Sequence, residues 1–213
     1  MKILNTGVSL RKTPAKAFYT PPSMADWRQI MKDRIKVSGK VTIQVFDKNG
    51  KLKRHNPGFI RRLLGLQGKY MIQEFHNIIT REGDALIADA LLVNPVKNKV
   101  SSASGYIQVG TGWTGNSTKT NTRCNTPTGN MKTLDNGYPS LNAAWGNNGD
   151  TTINYRVTFE AGALNANGIN EACLLNGNGA GANCLAYGQV TPTVNVTASD
   201  TLQVLWEITI LGQ

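Results

Sequence analysis

The stretch Thr201–Leu211 restricts the fold more than any other part of the chain. Leu202, Val204, Trp206, Ile208 and Ile210 are apolar at every second position, and Thr201, Gln203, Glu207 and Thr209 fill most of the gaps. A period of two places one apolar row on one face of a β-strand and a polar row on the other. A helix would scatter the same residues around its axis. The strand has one face to bury, so the rest of the chain must supply a sheet and a core.

Candidate partners recur along the sequence. Val41, Ile43 and Val45 alternate, as do Ile153, Tyr155, Val157 and Phe159, and then Val194 and Val196. Tyr106–Gly112 reads as a strand entering a glycine-rich turn. Ile169–Leu175 and Cys184–Val190 read as paired strands around Asn176–Asn183. Residues 113–150, rich in Asn, Thr and Gly, read as a long surface excursion or several short hairpins. Short strands between turn signals predict a mainly β chain: an antiparallel β-sandwich, jelly-roll or immunoglobulin-like.

Helical signals are few. Ser23 caps a short basic helix reaching Ile35, with Asp26 as its capping-box partner. A basic amphipathic helix of this kind serves a membrane, a partner or its own domain. Thr80 caps a second helix reaching Val93, with Glu82 and Asp84 at its positive end and Asn94-Pro95 as its stop. Leu86, Ala90 and Val93 form its stripe, beside Ile87 and Leu91. Phe59–Leu64 predicts one further turn of helix, broken by Gly65. Asn49-Gly50 predicts a tight turn with positive φ at both residues, returning through the basic run Lys51–His55. The helical patterns lie before residue 100, so β–α–β alternation is excluded. The expected organisation is an extended basic arm over 1–22, a helix-plus-hairpin attachment segment over 23–75 and a β-sandwich over 76–213.

Charge is distributed unevenly. The formal net charge of +10 resolves into 19 Lys/Arg against 7 Asp/Glu in residues 1–100, and 4 against 6 in residues 101–213. A basic first half points to an acidic partner surface or to nucleic acid. The candidate contact residues are Arg11, Lys12, Lys16, Phe18 and Tyr19 in the arm, Trp27 on the first helix, and Arg61 and Arg62. Trp113 and Trp145, in polar loops, would stack on sugars, anchor an interface or fold back onto the sheet. Lys51, Lys53 and Arg54 join the arginine pair as a basic patch, but no nucleic-acid-binding motif accompanies it. No apolar run of about 18 residues is present, so no membrane helix is expected. The start of the chain lacks the apolar core of a signal peptide.

Catalytic patterns are weak. Gly105-Tyr-Ile-Gln-Val-Gly-Thr-Gly112 lacks the Gly-Lys-Ser/Thr ending of a phosphate loop. No serine sits in a nucleophile-elbow context for His55 or His76 to serve. His76 and Glu74 are too few ligands for a metal. Glu160, Glu171 and Asp200 are expected at turns and strand edges. Cys124, Cys173 and Cys184 are odd in number and irregularly spaced, which argues against a disulfide framework and zinc. Cys173 and Cys184 face each other if their strands pair, which leaves a disulfide between them open, with two buried free thiols as the favoured reading. The chain reads as non-enzymatic, with no cofactor and no metal.

Five short motifs carry a resemblance. They are Asn77-Ile-Ile-Thr80-Arg-Glu-Gly83, Val109-Gly-Thr-Gly112, Thr158-Phe-Glu-Ala-Gly162, Ile169-Asn-Glu-Ala172 and Asp200-Thr-Leu-Gln-Val-Leu-Trp-Glu-Ile-Thr209. In this order, over residues 76–211, the chain resembles small structural proteins of tailed-bacteriophage virions. That resemblance implies a structural, capsid-associated, neck or tail-collar-fibre protein, made in the bacterial cytoplasm and present in copies in the virion. It implies major capsid, portal or neck, or tail proteins as partners. The basic first half favours the capsid surface or the head–tail neck. A tail-fibre or baseplate protein binding host glycans and a nucleic-acid-binding module are the alternatives.

Overall fold

The computed structural model describes residues 35–115, 117–142 and 151–212. The basic arm, the first expected helix, and Trp145 lie outside the described residues. Strands take 46% and helices 9% of the described residues, so the architecture is mainly β.

Among the described residues nine strands form one antiparallel sheet: β1 (Ile35–Phe46), β2 (Ile72–Ile79), β3 (Tyr106–Gly110), β4 (Pro127–Thr133), β5 (Ser140–Leu141), β6 (Thr152–Phe159), β7 (Ala166–Leu175), β8 (Cys184–Val196) and β9 (Thr201–Gly212). Their order is β4-β3-β7-β8-β2-β1-β9-β6-β5. Two helices among the described residues join them: α1 (Phe59–Leu63) between β1 and β2, and α2 (Arg81–Ala90) after β2.

The alternation of β9 is realised as a ladder with β1 on one side and β6 on the other. Val41, Trp206 and Tyr155 lie opposite one another across the three strands. Ile43, Val204 and Val157 form the next rung, and Val45, Leu202 and Phe159 the third. All nine side chains are buried. Cross-strand apolar pairs on one face are the unit of sheet stabilisation, and here three consecutive rungs stack into the core. The same core takes in Ile107 and Val109 of β3, Ile169 and Leu174 of β7, and Val190, Val194 and Val196 of β8.

The sheet is curled into a half-barrel. β2 makes the bend possible. Its first residues pair with β1, from Ile72↔Gln44 to Asn77↔Gly39, and its last two pair with β8 at Ile78↔Tyr187 and Ile79↔Ala186. Asp135, just past β4, then reaches β6 near the opposite edge. Its amide donates to the Arg156 carbonyl at 2.8 Å, and its carboxylate accepts from Arg156 Nε at 2.8 Å and the Thr158 amide at 2.9 Å. A strand pairing in both halves leaves no period-two mark, which is why periodicity suggests two layers where the hydrogen bonding follows a single order.

Several sequence expectations shift. The domain boundary at 75/76 falls inside β2, and β1 is a central strand between β2 and β9. The segment 35–75 therefore supplies part of the sheet besides any attachment role. α2 is capped as expected, with Thr80 Oγ1 accepting from the Gly83 amide at 2.9 Å. It stops at Ala90 rather than Val93, and Val93 is 96% exposed. Asp89 turns the chain back by accepting the amides of Val96 at 3.1 Å and Lys97 at 3.0 Å. The Asn49-Gly50 turn has positive φ only at Gly50 (71°). Asp47 holds it instead, its carboxylate accepting the amides of Asn49 at 2.8 Å and Lys51 at 3.0 Å. The basic return is tied to β1 and Tyr70 by single bridges and forms no regular strand.

Candidate interaction surface

The connection from β1 to β2, residues 47–71, carries seven Lys/Arg against one Asp, a net of +6. Its base is fastened to the sheet. The Lys53 amide donates to the Val45 carbonyl at 2.7 Å and the Met71 amide to the Lys53 carbonyl at 2.8 Å. Arg54 lies over the Tyr70 ring at 3.9 Å and donates to the Gly68 carbonyl at 3.2 Å. Lys53 also pairs with Asp200, in the turn between β8 and β9.

At the far end sits α1, a five-residue helix with no buried residue. Phe59 is 81% exposed, Ile60 70%, Leu63 75% and Leu64 65%. Arg61 and Arg62 lie among them, exposed and without an ion pair among the described residues. Fully burying one such apolar side chain stabilises by about 1.5–3 kcal/mol, so leaving four in water has a substantial energetic cost. Contiguous exposed apolar side chains within a basic rim mark an interaction site. Beside α1 runs an open groove of about 770 Å³, lined by Arg54, His55, Asn56, Arg62 and Leu66 among others.

The other contact candidates fare differently. Trp113 is half-buried on a small cluster of Cys124, Cys173, Leu175, Cys184 and Tyr187. Its amide donates to Asn170 Oδ1 at 3.0 Å and its Nε1 lies 3.4 Å from Ser117 Oγ. It is thus folded back onto the sheet rather than presented as an open stacking platform. Arg11, Lys12, Lys16, Phe18, Tyr19, Trp27 and Trp145 lie outside the described residues. The residues that sequence reasoning overlooks are Phe59, Ile60, Leu63 and Leu64. An apolar run bounded by glycines looks the same whether it is buried or presented.

Glu171 has a different place from the strand edge expected for it. It is fully buried on β7, with a carboxylate filled by four donors. Oε1 accepts the Gly112 and Thr126 amides, both at 2.9 Å. Oε2 accepts the Asn125 amide at 2.9 Å and the Tyr187 hydroxyl at 2.6 Å. A carboxylate offers about four acceptor sites, so this one has none left for a substrate or a proton relay. It pins the 111–126 loop to the sheet. Burial first, and the bond to Glu171 second, push the Tyr187 hydroxyl well above the ordinary tyrosine value.

The three cysteines are free and buried, with Cys124 Sγ 3.6 Å from Cys173 Sγ. Desolvation raises the Cys124 thiol well above its ordinary value, which keeps it a poor nucleophile. The histidines are apart in role: His76 Nδ1 lies 3.3 Å from the Gly39 carbonyl and His55 Nε2 3.5 Å from Gln73. Among the described residues no group of three or more His, Cys, Asp or Glu is placed to hold a metal. No described helix is long and apolar enough to cross a membrane.

Asp200 occupies the turn expected of it and accepts the Thr197 amide and hydroxyl, both at 2.7 Å. Burial alone would raise its carboxyl, but Lys53 and the Thr197 donors together hold it below the ordinary value of 3.8. A lowered folded value gives stability present above the unfolded value and lost as pH falls through the folded one. Asp200→Asn is therefore expected to cost on the order of 2 kcal/mol at pH 7. The gap to wild type should narrow as pH falls below the ordinary carboxyl value of 3.8 and through the lower folded-state value. Urea denaturation of both proteins across pH 2–7 measures it, and a pH-independent gap would remove the ion pair from the account.

No protein-family model, no curated protein and no solved structure matches the chain.

Proposed function

We propose that this chain is a non-enzymatic structural component of a tailed-phage virion, docking on an acidic neighbour through residues 47–71. The observation that carries the docking is α1, whose apolar side chains are all presented to solvent around Arg61 and Arg62. Such a knob fits an apolar pocket with an acidic rim on a capsid, portal, neck or tail protein. Residues 1–22, basic and apolar by sequence, would add a second grip, and several copies would assemble in each particle.

The motifs behind the virion resemblance support a structural role, because the structure gives their residues backbone-positioning tasks. Thr80 caps α2, Gly112 and Glu171 bond each other, Asp200 closes a turn, and Trp206 Nε1 donates to Asn77 Oδ1 at 3.0 Å. Within this reading the curled sheet is a sandwich-type fold. β2 turns the corner between two layers, and Asp135 ties their far edges.

The test uses Arg61→Glu combined with Leu63→Ser. Both positions are exposed, so stability should change by less than about 0.5 kcal/mol. Incorporation into particles, read by mass spectrometry of purified virions, should fall at least tenfold. Normal incorporation of a folded double variant would sink the docking assignment. Binding of the wild-type chain to double-stranded DNA, steeply weakened by salt, would transfer the same surface to nucleic acid.

A further inference from the structure

A second concavity lies away from the 47–71 segment, between α2, the chain that follows it, and the ends of β6 and β9. Its volume is about 350 Å³ and its walls are mainly apolar, including Leu86, Ile87, Ile153, Leu185 and Ile210. Volumes of this order are at the small end of ligand pockets, and apolar cavities that stay dry take up hydrocarbon guests.

Two features separate it from a packing defect. Tyr155 lines it and is only 6% exposed. Desolvation raises this tyrosine to about 12, so it is a neutral donor at physiological pH. The second feature is the charge in the lining. Lys97 and Lys99 both contribute; Lys97 Nζ donates to Asn183 Oδ1 at 3.2 Å, and Lys99 has no ion pair among the described residues. The one lining carboxylate, Asp89, is occupied by the amides of Val96 and Lys97.

We propose that this cavity binds a small amphipathic carboxylate of the medium-chain fatty-acid class. The hydrocarbon, on the order of ten heavy atoms for a pocket this small, lies against Leu86, Ile87, Ile153 and Ile210. The carboxylate meets the lysines, and the Tyr155 hydroxyl donates to a ligand oxygen. No part of this rests on the virion assignment, since the cavity shares no residue with the 47–71 segment.

Calorimetric titration of the full chain with decanoate tests the proposal. One saturable site is expected, with decyltrimethylammonium binding at least tenfold more weakly. Ala90→Trp places bulk in the cavity from an exposed helix position and should weaken decanoate at least tenfold. Tyr155→Phe should weaken it about threefold to tenfold, the range of one lost hydrogen bond. Leu63→Ser, on α1, should leave it unchanged. The proposal is overturned by the absence of saturable decanoate binding, or by affinity unchanged in both Ala90→Trp and Tyr155→Phe. Loss of affinity in Leu63→Ser, or equal affinity for the cationic amphiphile, overturns it as well.

Discussion

Glu171→Ala is expected to destabilise the chain by about 3–5 kcal/mol, the range for stripping one side from a buried charged network. The substitution leaves the amides of Gly112, Asn125 and Thr126 and the Tyr187 hydroxyl without their acceptor. A whole domain is stable by only about 5–15 kcal/mol, so the variant should approach unfolding at 37 °C. Glu171→Gln keeps one acceptor oxygen but turns an NH₂ group toward two of the donors. It should fall between Glu171→Ala and Tyr187→Phe, which removes one bond and should cost about 1 kcal/mol. Urea denaturation gives the ranking, with a constant slope confirming that stability alone has changed. A Glu171→Ala protein as stable as wild type would show that the loop does not need this anchor. Loss of an activity in a Glu171→Gln protein of unchanged stability would make the carboxylate chemical rather than structural.

Trp206→Ala should have an effect of similar size, about 3–5 kcal/mol. Trp206 is fully buried, lies opposite both Val41 and Tyr155, and donates to Asn77 Oδ1 at 3.0 Å. Removing it opens a cavity in the first apolar rung and releases the side chain that ties β9 to β2. Trp206→Phe separates the two contributions. It retains most of the packing and loses the indole bond, so its cost should be about 1–2 kcal/mol. Thermal melts of the three proteins give the ordering, which fails if the phenylalanine and alanine variants melt together.

The same tryptophan shows how far the sequence could be read. Alternation in β9, β6 and the middle of β1 was plain, because each strand keeps one face buried along its length. The first part of β1 was hidden by Ser38-Gly39-Lys40, which looks like a break. The structure places Asn77 against Gly39, where an added Cβ would come 1.9 Å from Asn77 Oδ1. That glycine admits the very oxygen that Trp206 uses, a contact between three strands that no local pattern reports. Gly83 is similar: a Cβ there would lie 2.1 Å from the Leu185 carbonyl, so α2 can pack closely on β8 only with glycine at that position. Thr80 was legible as a cap from its neighbours alone, whereas its second bond, to the Cys184 carbonyl, depends on tertiary structure.

The candidate site divides in the same way. The basic character of residues 47–71 could be counted from the sequence, and Arg61 and Arg62 were singled out on that basis. The exposure of Phe59, Ile60, Leu63 and Leu64 could not, because hydrophobicity records only a preference for burial. Their exposure in the isolated chain is what turns a charge asymmetry into a surface with a shape. Glu171 illustrates the opposite error. Its place among turns and glycines suggested an edge, yet those turns fold inward and deliver three backbone amides to one carboxylate.

The central claim is that α1 becomes buried against an acidic neighbour when the chain takes its place in a particle. A density map of intact virions, resolved well enough to trace this chain, tests it most directly. The account predicts Phe59, Ile60, Leu63 and Leu64 enclosed by another protein, with Asp or Glu side chains of that protein facing Arg61 and Arg62. Density showing α1 open to solvent in every copy, or particles lacking the chain altogether, would contradict it.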